Sequence, residues 1–225
     1  MLDQPLALTV HSLPSPEEAG EAQRRTARGR RWLFVVFAVC AAPVLASYFT
    51  YYVVRPQSHR SYGELVEPQR PLPAIAATTQ AGRSEPLTAL RGQWLLISVA
   101  GGNCAAACEK HLYLQRQLRE SLGKDKDRMD WVWLVADDAP VRPALLPALA
   151  QATVLRVPAA QLAGWLAAAP GRQLEEHLFV VDPLGNLMMR FPATLDAATA
   201  QQAKRDLDRL MRASAGWDKP GREGS

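Results

Sequence analysis

The chain has 225 residues, 48% of them hydrophobic, and a formal net charge of +4. That length suits one domain of ordinary size with some attachments. Arg24, Arg25, Arg28, Arg30 and Arg31 crowd into one short stretch, so the positive balance leaves no basic surface for nucleic acid, and that partner class is set aside.

Residues 1–31 read as a disordered cytoplasmic tail, with Pro5, Pro14 and Pro16 and the acidic group Glu17, Glu18 and Glu21. From Trp32 to Val54 the chain carries no charge. At about 1.5 Å per residue such a helix is about 34 Å long, enough to cross a bilayer core of about 30 Å. Pro43 is tolerated there, and Trp32, Tyr48, Tyr51 and Tyr52 stand where interfacial aromatics belong. A cleaved signal peptide fits less well, because the run is too long, starts late and ends in bulky residues. Five arginines precede the run and only Arg55 and Arg60 follow closely. The positive-inside rule then places the N-terminus in the cytoplasm and the C-terminal domain outside a bacterial-type inner (plasma) membrane, in the periplasm.

Residues 55–73 carry four prolines and almost no apolar periodicity, the composition of an extended, semi-rigid linker. Residues 74–215 are enough for one compact core, and 216–225 read as a second disordered tail. Within the domain, Trp94–Val99 and Trp131–Val135 are buried strands, and Cys108–Leu122 between them is a helix with Leu112, Leu114, Leu118 and Leu122 on its apolar side. Thr153–Val157 is a short strand before a helix over 159–168. Leu178–Val181 and Leu187–Phe191 flank a hairpin turn, Asp182-Pro183-Leu184-Gly185-Asn186, and an amphipathic helix over 195–211 closes the domain. Two parallel strands need the helix between them as a crossover. The order predicts an α/β, thioredoxin-like domain, a mixed central sheet flanked by helices. Trp131 and Trp133 are expected in its core.

The chemistry lies at the end of the first strong strand, in Gly101-Gly102-Asn103-Cys104-Ala105-Ala106-Ala107-Cys108. Two cysteines at i and i+4 face the same side of a helix, or the first stands just outside its opening turn. A helix N-terminus favours thiolate. Such a pair can form a disulfide or offer two soft ligands to Cu(I), and the glycines permit close backbone approach. A purely structural disulfide is the plainer alternative, although a loop this short contributes little by chain entropy. Cys40 falls in the membrane run and reads as a small apolar side chain.

The linker SYGELVEPQRPLP, the lead-in Leu90-Arg91-Gly92-Gln93-Trp94, Cys104-x₃-Cys108 and HLFVVDPLGNLMMRF together resemble the Sco/SenC family. The resemblance implies a membrane-anchored thioredoxin-like protein of cytochrome c oxidase assembly that binds Cu(I). Its metal ligands would be Cys104, Cys108 and His177, and its partners the copper-centre subunit of the oxidase or other assembly factors. Cys104 and Cys108 would also be the redox pair of any thiol–disulfide activity. The chain departs from the family pattern in two places. Ala105, Ala106 and Ala107 replace an aromatic residue and a proline, and the family histidine falls by counting near Leu174, not at His177.

Other residues carry weaker readings. His111, one helical turn after Cys108, either completes a metal site or is an exposed helix histidine. Zn²⁺ on Cys104, Cys108, His111 and His177 ranks below copper. Asp137 and Asp138 end the second strand as a solvated loop. Three functions stay open: copper chaperone, thiol–disulfide oxidoreductase for a dedicated partner, and non-catalytic assembly factor.

Overall fold

The computed structural model describes residues 16–54 and 61–221. The chain forms two compact units, Met1–Ser58 and His59–Ser225.

In the first unit, helix α1 (Pro16–Phe49) continues as a π-helical turn over Thr50–Val54. It contains the 24-residue stretch Gly29–Tyr52, of mean hydropathy 2.1, long and apolar enough to cross a membrane. Leu33, Phe34, Phe37 and Leu45 are exposed on it, a stable state only in an apolar medium. The helix starts well before Trp32, so the segment from Pro16 to Arg31 is helical and not the disordered tail expected. Residues 1–15 of that tail lie outside the described residues. Proline opening the helix, followed by glutamate, alanine, glutamine and arginine, explains the extension, because these residues suit a first turn and then propagate it.

The second unit is built on one eight-stranded sheet. Its strands are β1 (Glu64–Pro71), β2 (Ala76–Thr79), β3 (Ser84–Pro86), β4 (Trp94–Ala100), β5 (Met129–Val135), β6 (Thr153–Arg156), β7 (Leu178–Val181) and β8 (Asn186–Phe191). They lie in the order β1-β8-β7-β4-β5-β6-β2-β3. β4, β5 and β6 are parallel, and every other pairing is antiparallel. Helix α2 (Ala106–Ser121) makes the crossover between β4 and β5, α3 (Ala159–Trp165) follows β6, and α4 (Ala200–Ser214) closes the chain.

All seven residues of β4 are buried, as a central strand covered on both faces requires. Leu95, Ile97 and Val99 join Val132, Leu134, Phe179 and Val181 against Leu162 and Trp165 of α3. Trp94 and Leu96 face the other way, with Leu178, Val180 and Phe191, against Leu118 of α2 and Leu207 and Met211 of α4. Trp131 and Trp133 are both buried, as expected, in a third cluster with Leu112 and Cys104. The hairpin turn expected at Asp182–Asn186 is present. Gly185 has φ +91°, and the Asn186 N–H donates to Asp182 Oδ1 at 2.7 Å, a turn that needs glycine there.

The linker expectation needs correcting. Residues 64–71 are not a free connector but the edge strand β1, paired with β8 through Leu65 and Met189. Leu72 is buried behind it. Proline is compatible with an edge strand, where one side of the backbone makes no ladder bonds, so proline content alone did not separate linker from strand. Residues 55–60 of the expected linker lie outside the described residues. The second expected tail is also partly structured, since Asp218 is buried and the Lys219 carbonyl accepts a bond from Gln93 Nε2 at 2.9 Å. Strands β2 and β3 had no sequence signal, being short and built of alanine, threonine, serine, glutamate and proline.

Candidate functional site

β4 ends at Ala100 and α2 begins at Ala106, and the connecting loop carries the first cysteine. Cys104 has φ +39°, the only positive φ outside glycine among the described residues. Such a backbone is unfavourable for a side chain and persists only where its surroundings hold it. Its N–H donates to the Gly101 carbonyl at 3.0 Å. Cys108 is the third helical residue of α2, which has no side-chain cap at Ala105. The two cysteines form a disulfide with Cα atoms 5.1 Å apart.

The loop is clasped from the side of β5. Asp137 Oδ1 accepts the Gly102 N–H at 2.8 Å and the Ala139 N–H at 3.2 Å. Arg156, at the end of β6, donates to the Asp137 carbonyl and, at 2.9 Å, to the Ala139 carbonyl. The contact leaves no room for a side chain at Gly102, and none at Gly101 while the Asp137 carboxylate stays in place. A Cβ on Gly101 would lie 2.3 Å from Asp137 Oδ2, and one on Gly102 would lie 2.0 Å from the Ala139 carbonyl oxygen.

The disulfide borders a cleft of about 510 Å³ lined by Asn103, Ala105, Ala107, His111, Glu175 and Glu176, among others. Cys104 is only 1% exposed, whereas Cys108 is half-buried. His111 Nδ1 lies 3.0 Å from the Glu175 carbonyl. Burial holds the His111 imidazole below its ordinary pKa, helped by Lys110 and His177 and opposed by the Glu175 hydrogen bond.

His177 does not line this cleft. It is 1% exposed, and both ring nitrogens are occupied. Nδ1 lies 2.9 Å from the Phe191 carbonyl, and Nε2 lies 3.2 Å from the Ala169 N–H that donates to it. One nitrogen donates and the other accepts, which defines a neutral imidazole. Desolvation lowers its pKa, against the hydrogen bond to Phe191 that raises it. Among the described residues, no group of three or more His, Cys, Asp or Glu is arranged to hold a metal ion.

Of the residues expected at the site, Cys104 and Cys108 are joined and His111 stands beside them, while His177 is buried between Phe191 at the end of β8 and Ala169 in the loop after α3. The clasp of Asp137 and Arg156 was not read as part of the site. Asp137 at a strand end is also what a solvated loop looks like, and Arg156 reaches it only through the fold.

An apolar helix followed by a thioredoxin-like domain with a Cys-x₃-Cys disulfide at its first strand-to-helix junction defines the class. Residues 94–214 match the family model described as transmembrane-like, thioredoxin-like, C-terminal domain, and the chain belongs to that family. No curated protein matches it. Among solved structures, the fold is similar to apo Sco1 of Thermus thermophilus, at 20% identity and TM-score 0.51, covering 68% of this chain and 99% of that one. At the same TM-score of 0.51 but 14% identity it is similar to a putative protein disulfide isomerase of Bacteroides thetaiotaomicron, covering 69% and 97%. A copper-bound ScoI of Bradyrhizobium japonicum aligns at 18% identity and TM-score 0.43 over 60% and 96%. Sco-family proteins are thus among its structural neighbours, with the thioredoxin-like fold that the sequence resemblance implied.

Proposed function

We propose that this protein is a membrane-tethered thiol–disulfide module whose Cys104 and Cys108 cycle between disulfide and dithiol against the cysteines of a dedicated partner. The observation that carries the reading is the Cys104–Cys108 disulfide at the edge of an open cleft. In the reducing direction, a Cys thiolate attacks a partner disulfide sulfur, and the released partner sulfur leaves as thiolate. The second cysteine then attacks the mixed disulfide, so the partner gains two electrons and two protons while the Cys104–Cys108 disulfide forms.

Copper handling is the second reading, and Cu(I) would be cargo. Two thiolates suit that soft ion, and His111 on the cleft supports an imidazole beside them. His177 fits less well, because both its nitrogens are already bonded. In this reading Cu(I) passes to a copper-centre subunit of cytochrome c oxidase, and the assembly role and the periplasmic placement rest on the Sco/SenC resemblance and on the arginines before Trp32.

Thiol labelling of the full chain before and after mild reduction tests the first reading. Cys104 and Cys108 should become reactive together and re-form the disulfide on reoxidation, with Cys40 as the internal reference. Cysteines that stay reduced in air for hours would remove its basis.

A further inference from the structure

We infer that Cys108 is the sulfur that exchanges with the partner, and that Cys104 is the resolving sulfur, held back by the Asp137–Arg156 clasp. The inference rests on the thiol–disulfide reading and adds the order of attack. Three observations carry it. Cys104 is 1% exposed, in a cluster with Ala100, Leu112, Trp131 and Trp133, whereas Cys108 is half-buried on the first turn of α2. Exchange requires roughly linear approach to a sulfur, so access selects which one is attacked. The first turn of a helix favours a sulfur that carries negative charge, a second reason for Cys108 to be the one that attacks and departs.

The third observation explains why Cys104 stays buried. Its loop runs back along Gly101 and Gly102: Asp137 Oδ1 accepts the Gly102 N–H, Asp137 Oδ2 fills the space beside Gly101, and the Ala139 carbonyl lies too close to Gly102 for any side chain. Arg156 fixes this segment from β6 by donating to the Asp137 and Ala139 carbonyls. Cys104 is thereby kept at φ +39° beneath the cleft, and Asp137 and Arg156 are positioning residues that act through the loop.

The chemistry balances without any further reagent. A partner thiolate attacks Cys108 Sγ of the disulfide, the S–S bond breaks, and Cys104 leaves as thiolate and takes a proton from water. A second partner thiolate then attacks the partner sulfur of the mixed disulfide and expels Cys108 as thiolate, so the partner becomes a disulfide while Cys104 and Cys108 gain two electrons and two protons. In the opposite direction Cys108 attacks a partner disulfide, and Cys104 then attacks Cys108 Sγ, expelling the partner thiolate.

Two measurements on the full chain in detergent decide it. In the first, the oxidised wild type is mixed with reduced glutathione, quenched with an alkylating reagent and digested for mass spectrometry. Glutathione should be found on Cys108 and the alkyl group on Cys104. In the second, the free thiols of Cys104→Ala and Cys108→Ala react with an aromatic disulfide. Cys108, free in Cys104→Ala, should react at least about tenfold faster than Cys104, free in Cys108→Ala. Adding Asp137→Ala to Cys108→Ala should raise the Cys104 rate by about tenfold, because the clasp is what withholds it.

Glutathione on Cys104, or equal rates for the two single cysteines, overturns the order. An unchanged Cys104 rate in Cys108→Ala/Asp137→Ala overturns the clasp. If glutathione fails to open the wild-type disulfide, the redox reading falls while the single-cysteine rates still decide the order. Should Asp137→Ala fail to fold, Gly101→Ala separates the same contact from the other side.

Discussion

Arg128 and Asp218 meet at 2.9 Å, with the Asp218 side chain fully shielded from solvent and that of Arg128 8% exposed. Arg128 also donates to Ser214 Oγ at 2.8 Å, and Trp94 Nε1 reaches the same hydroxyl at 3.1 Å. The pair therefore fastens the segment after α4 to the start of β4 and β5. Removing Asp218 takes the buried acceptor from Arg128 Nε and Nη2 and leaves only the half-buried Asp125 as a carboxylate partner, a loss of about 3 kcal/mol, at the low end for a broken buried pair. Asp218→Ala should lower the thermal midpoint of the domain, read by near-ultraviolet circular dichroism, by about 10 °C. A shift below about 2 °C would show that the arginine finds water instead.

Asp206 does comparable work at the other end. Its Oδ2 accepts the backbone N–H groups of Tyr62 and Gly63 at 2.6 and 2.9 Å, and its Oδ1 accepts from Arg209 Nη1 at 3.1 Å. These bonds lead β1 onto the sheet edge. Asp206→Ala should expose the amides of residues 62–66 to hydrogen exchange at least about tenfold faster, while those of β4 stay protected. Uniform acceleration across the domain would mean that Asp206 supports global stability and not the edge strand.

What could be read in the sequence was the part fixed by local pattern. β4, β5, β7, the Asp182–Asn186 turn and the cysteine pair all followed from apolar runs, turn residues and spacing. What could not be read was fixed by distant partners. β1 is a strand because β8 pairs with it, not because Glu64–Pro71 alternates. Asp218 is ordered because Arg128 lies 90 residues away in sequence and beside it in space. His177 was placed at the right strand entrance, but its commitment to Phe191 and Ala169 depends on tertiary geometry. The Gly101-Gly102 signal was correct about close approach and silent about Asp137 and Ala139 as the groups approaching.

The two perturbed histidines make a signed prediction for pH. Desolvation lowers the pKa of His177 and of His111 in the folded state, so the unfolded chain, with an ordinary histidine pKa of about 6.5, binds the proton more readily. Stability from these sites is therefore fully present above about pH 6.5 and is lost as pH falls from there towards the lowered folded values. His177→Asn keeps a donor and an acceptor for Phe191 and Ala169 and cannot titrate. Between pH 7.5 and 5, at steps of about half a unit, its thermal midpoint should fall less than that of wild type. Parallel curves would show that His177 is not protonated on unfolding.

Copper binding separates the two histidines by geometry. The reduced chain should take up one Cu(I) through the thiolates of Cys104 and Cys108, and Cys104→Ala or Cys108→Ala should each abolish uptake in competition with a Cu(I)-selective chelator. His111 stands on the cleft with its Nδ1 on the Glu175 carbonyl. That is the arrangement of a ligand whose second nitrogen is oriented by a backbone acceptor, so His111→Ala should weaken affinity by about 10–100-fold. His177 has both nitrogens bonded within the core, so His177→Asn should leave the affinity within about twofold, the spread expected for a residue that neither ligates nor orients a ligand. The reverse pattern, with His177→Asn losing affinity and His111→Ala neutral, would require the His177 ring to leave Phe191 and Ala169 when copper binds. Uptake by the wild type no greater than by the double cysteine variant would end the copper reading and leave thiol–disulfide exchange and the non-catalytic assembly role as the readings in its place.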